Sequence, residues 1–255
     1  MGSPFSLWEL LEESARLLYK EWFVRLRFPG YEHTRIINGV LARRGAFRHA
    51  GVPEGWEKKT VGEVCASVDD GDWIESKDQG GEDYRLIQIS NIGINEFVET
   101  GNMRFISEET FRRLRCREII PNDILVSRMP TPIGRAWQVT PLPWKIIAAV
   151  DVAILKSNLE MLDPGFLLYH LNSDTILRIS EGLSAGATRP RITKRNLMSI
   201  PILLPPRDAI TRFAQFAQSI VEIKQNLYRQ NSLLQQGREI LLPRLMSGEV
   251  EVPEK

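Results

Sequence analysis

The chain has 255 residues, 43% of them hydrophobic and 25% charged, with a formal net charge of +1. These values fit a globular protein with one ordinary core plus an appendage, or two small domains, and exclude a disordered or fibrous chain. A near-neutral total also excludes a surface coated in phosphate contacts, so any nucleic-acid footprint must be a local basic patch.

No run approaches the roughly 18 apolar residues of a membrane span, and no basic-then-apolar signal opens the sequence, so a cytoplasmic protein is expected. Met1-Gly2-Ser3-Pro4-Phe5-Ser6 fits the loose myristoylation pattern, which is short enough to arise by chance. Cys65 and Cys116 have no His or Cys at ligand spacing, and His33, His49 and His170 are scattered. Neither a disulfide framework, a metal site nor a cofactor is expected.

In chain order, residues 5–27 read as a helix, because Trp8, Leu11, Ala15, Leu18 and Trp22 recur at alternating steps of three and four. Phe28-Pro29-Gly30 ends the pattern. The stretch from Asn38 to Gly51 reads as a linker, with Gly39, Gly45 and Gly51 and a basic cluster of Arg43, Arg44 and Arg48. Val40 and Val52 flank Leu41 to Gly51, and deleting that interval with one of the two valines leaves a continuous Gly-Val-Pro-Glu-Gly-Trp, so it reads as an insertion or mobile loop.

Residues from Pro53 to about Pro206 read as one mixed domain, α+β rather than a regular βαβ alternation. Four β-type runs, Tyr84 to Ile89, Ile119 to Val126, Trp144 to Leu155 and Leu197 to Leu204, are separated by turn signals such as Asp70-Gly71, Asn91-Ile92-Gly93 and Pro121-Asn122-Asp123. Asn91 reads as a left-handed turn residue. Pro164 to about Ser180 reads as one helix. Two basic stretches stand out: an acid-free one from Gly182 to Arg207, and one through Arg104, Arg112, Arg113, Arg115 and Arg117, diluted by Glu108 and Glu109. Either is also compatible with an ordinary solvated face.

The last helix should run from near Asp208 to about Leu242. Phe213, Ile220, Leu227, Leu234 and Leu241 repeat every seven residues, with Ile210, Ala217, Lys224, Asn231 and Arg238 at the partner positions. A sustained heptad is coiled-coil geometry, and the polar partner positions specify register. Such a helix would extend about 50 Å. The partner is expected to be the N-terminal helix, through Trp8, Leu11 and Leu18, or a second copy of either; burial inside the same domain is the alternative.

Several ordered blocks now converge on one family. Leu241-Leu242-Pro243-Arg244-Leu245-Met246-Ser247-Gly248-Glu249-Val250 resembles the C-terminal conserved segment of the DNA specificity subunits of type I restriction-modification systems. Leu10 to Phe23 resembles the end of their central conserved helix, and Val52-Pro53-Glu54-Gly55-Trp56-Glu57 with Thr60-Val61-Gly62-Glu63-Val64 resembles the opening of a target-recognition domain. Asp70-Gly71-Asp72-Trp73, Ile87 to Gly93, Asn122 to Arg128 and Gly186-Ala187-Thr188-Arg189-Pro190-Arg191-Ile192 match the family's habits as well.

The resemblance implies long conserved coiled-coil-forming helices at both ends of one recognition domain. It divides the chain into an N-terminal helix (1–28), a linker or insertion (29–51), the recognition domain (52–206), a C-terminal helix (207–246) and a tail (247–255). Complete family members carry two recognition domains, so the sequence reads as a half-size subunit or a fragment of a full one. The implied function is to read a split DNA site and direct a DNA methyltransferase subunit and, in some assemblies, a restriction-translocation subunit. A half-size subunit would restore two recognition domains as a homodimer on a palindromic split site.

The leading candidate for contact with double-stranded DNA is Thr188-Arg189-Pro190-Arg191-Ile192-Thr193-Lys194-Arg195, where arginines can grip phosphate or guanine and threonines a phosphate or thymine methyl. Arg128, Arg135, Trp73 and Lys77 are further candidates. Enzyme readings are weak. Leu204-Pro205-Pro206-Arg207 only superficially echoes the amine-holding loop of DNA methyltransferases, and neither a glycine-rich cofactor loop nor a phosphate-cradling Gly-Lys-Ser/Thr motif is present. Asp70 with Glu75-Ser76-Lys77 has the residue content of a magnesium nuclease, a triplet that arises often by chance. The reading is therefore a non-catalytic subunit, and the alternative a coiled-coil adaptor whose globular domain binds protein.

Overall fold

A computed structural model describes residues 7–38 and 51–247. The myristoylation pattern, the basic cluster at Arg43, Arg44 and Arg48 with most of the Leu41–Gly51 interval, and the tail from Gly248 lie outside the described residues, as do the side chains of Trp8 and Lys224. Among the described residues, no helix is long and apolar enough to cross a membrane. The chain divides into two compact units, one of Arg16–Ala214, the other of the chain up to Ala15 together with the chain from Gln215 onward.

The architecture is mixed α+β. The expected first helix forms as α1 (Leu7–Tyr19), but it widens into a π-helical turn at Lys20–Val24, where the Arg25 N–H donates to the Lys20 carbonyl. It ends there rather than at Phe28, with Leu26 in the left-handed region at φ 58°. The buried face is Ala15, Tyr19 and Phe23: Ala15 belongs to the expected stripe, but beyond it burial falls one residue later, and Leu11, Leu18 and Trp22 are only half-buried. The linker's described ends are paired: β1 (Ile36–Asn38) runs antiparallel to β2 (Gly51–Pro53).

Next come β3 (Glu57–Thr60), α2 (Val61–Val64) and β4 (Cys65–Asp70). Thr60 and Glu63 close a reciprocal capping box that starts α2. β5 (Tyr84–Ile87), β6 (Phe105–Ile106), α3 (Glu108–Leu114), β7 (Ile124–Ser127) and β8 (Ala136–Gln138) follow. The long apolar run at 144–155 is two strands, β9 (Lys145–Ala148) and β10 (Val152–Ser157), separated by a turn at Ala149–Asp151. Asn91 closes a short 3-10 turn rather than a left-handed one; its side chain accepts from the Gln88 N–H and donates to the Val98 carbonyl.

The helix expected over 164–180 is broken in two, α4 (Pro164–Leu171) and α5 (Asp174–Gly182). Asn172 is the reason: its amide accepts from the Ala136 N–H and donates to the Ala136 carbonyl, both at 2.8 Å. Ser173 donates to the His170 carbonyl, so local side chains compete successfully with helix continuation. The run at 197–204 begins as a helix, α6 (Lys194–Met198), capped by the Thr193 hydroxyl, before β11 (Pro201–Leu204). α7 (Arg207–Met246) is one 40-residue helix and continues through Pro243, past the expected stop.

One sheet has the order β4-β10-β7-β8, another β6-β5-β9 with β5 and β9 parallel, and β11 pairs with β3. β5 and β9 are covered on both faces: Ile87 and Ile146 join a cluster with Leu125, Trp137 and Ile154, whereas Leu86 and Ile147 join Tyr84, Ile106 and Cys116. That is why Leu86-Ile87 and Ile146-Ile147 stand as adjacent apolar pairs rather than in an alternating pattern. Every residue of α4 is buried. Beside it, Tyr19, Phe23, Phe166, Tyr169 and Phe213 form an aromatic cluster with ring centroids 4.9–6.4 Å apart.

This last cluster corrects the heptad assignment. Phe213 has no exposed surface, and Ile220 is also buried, so neither is available to a second molecule. Further along α7, Leu227 is half-buried, while Leu234 and Leu241 are exposed at 71% and 49%. Spacing alone treats the five positions as equal. Burial separates the first two from the last two.

Candidate nucleic-acid interface

The four-stranded sheet is antiparallel throughout, so β4 and β7 end at the edge where β8 and β10 begin. Three connections therefore emerge together: the turn after Asp70, the Arg128–Arg135 loop and the Ala149–Asp151 turn. The segment from Ala185 to Thr193 joins them through hydrogen bonds to Arg128 and Val150.

The turn after β4 is set by Gly71, whose N–H donates to the Val152 carbonyl at 2.8 Å. A Cβ on Gly71 would lie 2.2 Å from the Ala149 carbonyl oxygen, so no larger residue fits there. The backbone then continues through Asp72, whose N–H donates to Ala148, and presents Trp73 with 69% of its surface exposed. Lys77 sits on the following 3-10 turn, 2.8 Å from Glu75. Lys77 first, with Trp73 contributing, holds the Glu75 carboxyl below its ordinary range.

Arg128 and Arg135 face inward. Arg128 is buried, pairs with Asp70, and donates through Nε to the Ile192 carbonyl at 3.0 Å. Its N–H donates to Asp151, and its carbonyl accepts from the Ile192 N–H. Burial first, then the neighbouring Arg191 cation, presses its pKa down, while Asp70 and Asp151 pull it up. Arg135 donates to the carbonyls of Ile89, Ile92, Pro130 and Pro132, and so closes its own loop. These two guanidiniums build the rim. An isolated arginine at the end of a strand is indistinguishable in sequence from one that reaches solvent.

Within the acid-free stretch, residues 185–191 form a tight hairpin. Ala185 and Arg191 exchange two backbone hydrogen bonds of 3.1 and 3.0 Å, and Gly186 turns the chain at φ +115°. Ala187, Thr188, Arg189 and Pro190 are exposed at its tip. Arg191 points back: it pairs with Asp151 at 3.0 Å and donates to the Val150 carbonyl at 3.1 Å. The Thr193 hydroxyl is engaged as the cap of α6, on whose first turn Lys194 is half-buried and Arg195 exposed.

The rim thus gathers Trp73, Arg128, Arg135 and the 185–193 hairpin, and distinguishes the exposed Trp73, Thr188 and Arg189 from buried Arg128 and from half-buried Arg135 and Arg191, whose guanidiniums are engaged by the chain's own carbonyls and Asp151. Sequence reasoning missed the part played by Asp70 and Asp151; their partners come from distant strands, so no local signal marks them. The second basic stretch is largely paired: Arg112 with Glu108, Arg113 with Asp78, and Arg117 with Asp69.

Residues 53–243 match the family described as the type I restriction modification DNA specificity domain. The chain belongs to this family. The chain is similar to the type I restriction enzyme MjaIX specificity subunit of Methanocaldococcus jannaschii, at 23% identity over 248 residues, 96% of this chain and 54% of that protein. Its fold is similar to that of the HsdS subunit from Thermoanaerobacter tengcongensis, with a TM-score of 0.51 at 18% identity, covering 95% of this chain and 52% of that one. A chain from a solved type I R-M system complex gives a TM-score of 0.53 at 18% identity, over 93% of this chain and 52% of its own length. The chain therefore spans about half the length of the relatives it matches.

Proposed function

We propose that this specificity domain is the DNA-reading, non-catalytic part of a type I restriction-modification assembly. It directs a partner adenine methyltransferase, and a restriction subunit where one is present, to a split target site. The observation that carries this reading is the rim: the exposed hairpin tip and Trp73 belong to connections that leave the sheet at one edge, within the matched residues, and the hairpin is anchored there through the Arg128–Asp70 and Arg191–Asp151 ion pairs. Thr188, Arg189 and Trp73 are its proposed DNA contacts, with Arg195, Lys194 and Lys77 as flanking cations. Domain limits of 52–206 for the recognition domain and 207–246 for the C-terminal helix go with this reading.

The exposed apolar positions Leu234 and Leu241, with half-buried Leu227, favour coiled-coil pairing of α7 with a second helix. For a half-size subunit, a second copy of this chain supplies both that helix and the second recognition domain; for a fragment of a full subunit, the missing half does.

The test is to map methylated adenines in a host that expresses this chain with its methyltransferase. A palindromic split motif is expected, as two-fold symmetry requires. An asymmetric motif would sink the homodimer, and no motif at all would sink the recognition role. At the level of one residue, Arg189→Gln should weaken binding to a duplex and lower the slope of log affinity against log salt by about one, the effect of losing one phosphate contact. An unchanged slope and affinity would remove the hairpin tip from the interface.

A further inference from the structure

Two aspartates stand on the rim that this reading turns toward a polyanion. Asp151 retains 33% and Asp70 46% of their side-chain surface. A carboxylate within a Debye length of DNA, roughly 8 Å at physiological salt, repels it, so simple electrostatics expects both to oppose binding. Their geometry indicates the opposite.

The hairpin cannot hold its own orientation. Its two backbone bonds join a single residue pair, Ala185 and Arg191, and so short a pairing is marginal in water. What fixes it lies outside: the Ile192 N–H on the Arg128 carbonyl at 3.2 Å, Arg128 Nε on the Ile192 carbonyl at 3.0 Å, and Arg191 Nη2 on the Val150 carbonyl at 3.1 Å. Both arginines that make these contacts are aimed by a carboxylate, Arg128 by Asp70 and Arg191 by Asp151. Without its carboxylate, Arg191 is free to turn toward solvent and leave the hairpin unanchored.

We infer that Asp151 and Asp70 are positioning residues for DNA binding, which hold Arg191 and Arg128 against the Ala149–Asp151 turn and Ile192 so that the hairpin presents Arg189 in one orientation. This rests on the DNA-reading role proposed above. Arg128 and Arg191 then act through the hairpin and make no phosphate contact themselves.

The experiment is a salt titration of duplex binding with the full chain and a mixed-sequence duplex, alongside thermal unfolding of each variant. Asp151→Asn keeps the size of the side chain and removes its charge. It is expected to weaken binding about fivefold with the salt slope unchanged. Arg191→Gln should do the same, and the double variant should bind no worse than either single one, because the two residues act as one contact. Arg189→Gln alone should lower the slope, by about one. Tighter or equal binding by Asp151→Asn would overturn the inference, as would a lowered slope in Arg191→Gln, which would make Arg191 a phosphate contact. Asp70→Asn provides the second site, and its unfolding midpoint shows whether buried Arg128 survives the loss of its partner. A parent chain that binds without salt dependence refutes the DNA reading itself, and this inference with it; a parent that binds normally while Asp151→Asn binds tighter refutes the inference alone.

Discussion

Phe213→Ala should cost about 3–5 kcal/mol of stability, the range for truncating a fully buried phenylalanine. The ring lies in contact with Tyr19, Phe23, Phe166 and Tyr169, at centroid distances of 5.6, 5.3, 6.4 and 5.4 Å, and retains no exposed surface. The four rings stand edge-to-face on it, at interplanar angles of 69–90°. Against a total stability of about 5–15 kcal/mol, a loss of this size is a large fraction, and it should lower the unfolding midpoint by roughly 10 °C. Thermal unfolding at low protein concentration checks it. If Phe213 were a partner-facing heptad position, the substitution would instead leave the monomer's midpoint in place and weaken only self-association, and that outcome would show the burial argument to be wrong.

Acidification should destabilise the fold through His170. The imidazole is buried in the same region, with Nε2 3.0 Å from the Pro201 carbonyl and Nδ1 2.9 Å from the Tyr19 hydroxyl. A carbonyl only accepts, so Nε2 carries the proton and Nδ1 accepts from Tyr19. Burial pushes the His170 pKa down from 6.5 to about 4, and also raises that of the Tyr19 hydroxyl. The folded state therefore binds fewer protons than the unfolded state between these values. Stability is fully present above about pH 6.5 and falls by just over 1 kcal/mol per pH unit below it, approaching a loss of about 3 kcal/mol near pH 4. Asp72 and Asp123, whose carboxyls burial pushes upward, contribute with the opposite sign as pH falls from their raised folded values toward the ordinary carboxylate value. The informative comparison is the pH dependence of unfolding for the parent and for His170→Gln. The variant should be flatter between pH 6.5 and 4.5 whatever its absolute stability, and parallel curves would exclude His170 as the source.

These two effects meet at one place in the fold, and the sequence shows it only in outline. Periodicity finds a helix around residues 7–24, but from Ala15 onward Leu18 and Trp22 fit the three-four pattern as well as Tyr19 and Phe23 do. The π turn at Lys20–Val24 and the packing on α4 select the second set. The heptad in α7 is equally plain and equally ambiguous, because the seven-residue stripe is buried at its first positions and exposed at its last. Polar residues account for the other differences. Asn172 reads as a helical residue until its amide is seen to pair with the backbone of Ala136, 36 residues away in sequence.

By itself the sequence determined the family, through ordered blocks from Leu10 to Val250, the mixed α+β composition of the middle region, and the acid-free segment that carries the candidate contact. Each of these is a property of spacing and residue type along the chain. Only the tertiary structure decided which arginines on the rim face outward. Arg128 finds Asp70 at a separation of 58 residues and Arg191 finds the Val150 carbonyl at 41, and these pairings depend on strand register and on the turn between β9 and β10. A guanidinium's role is set by whether a carboxylate or carbonyl stands within about 3 Å of it, and that distance follows from long-range packing rather than from the local run of residues.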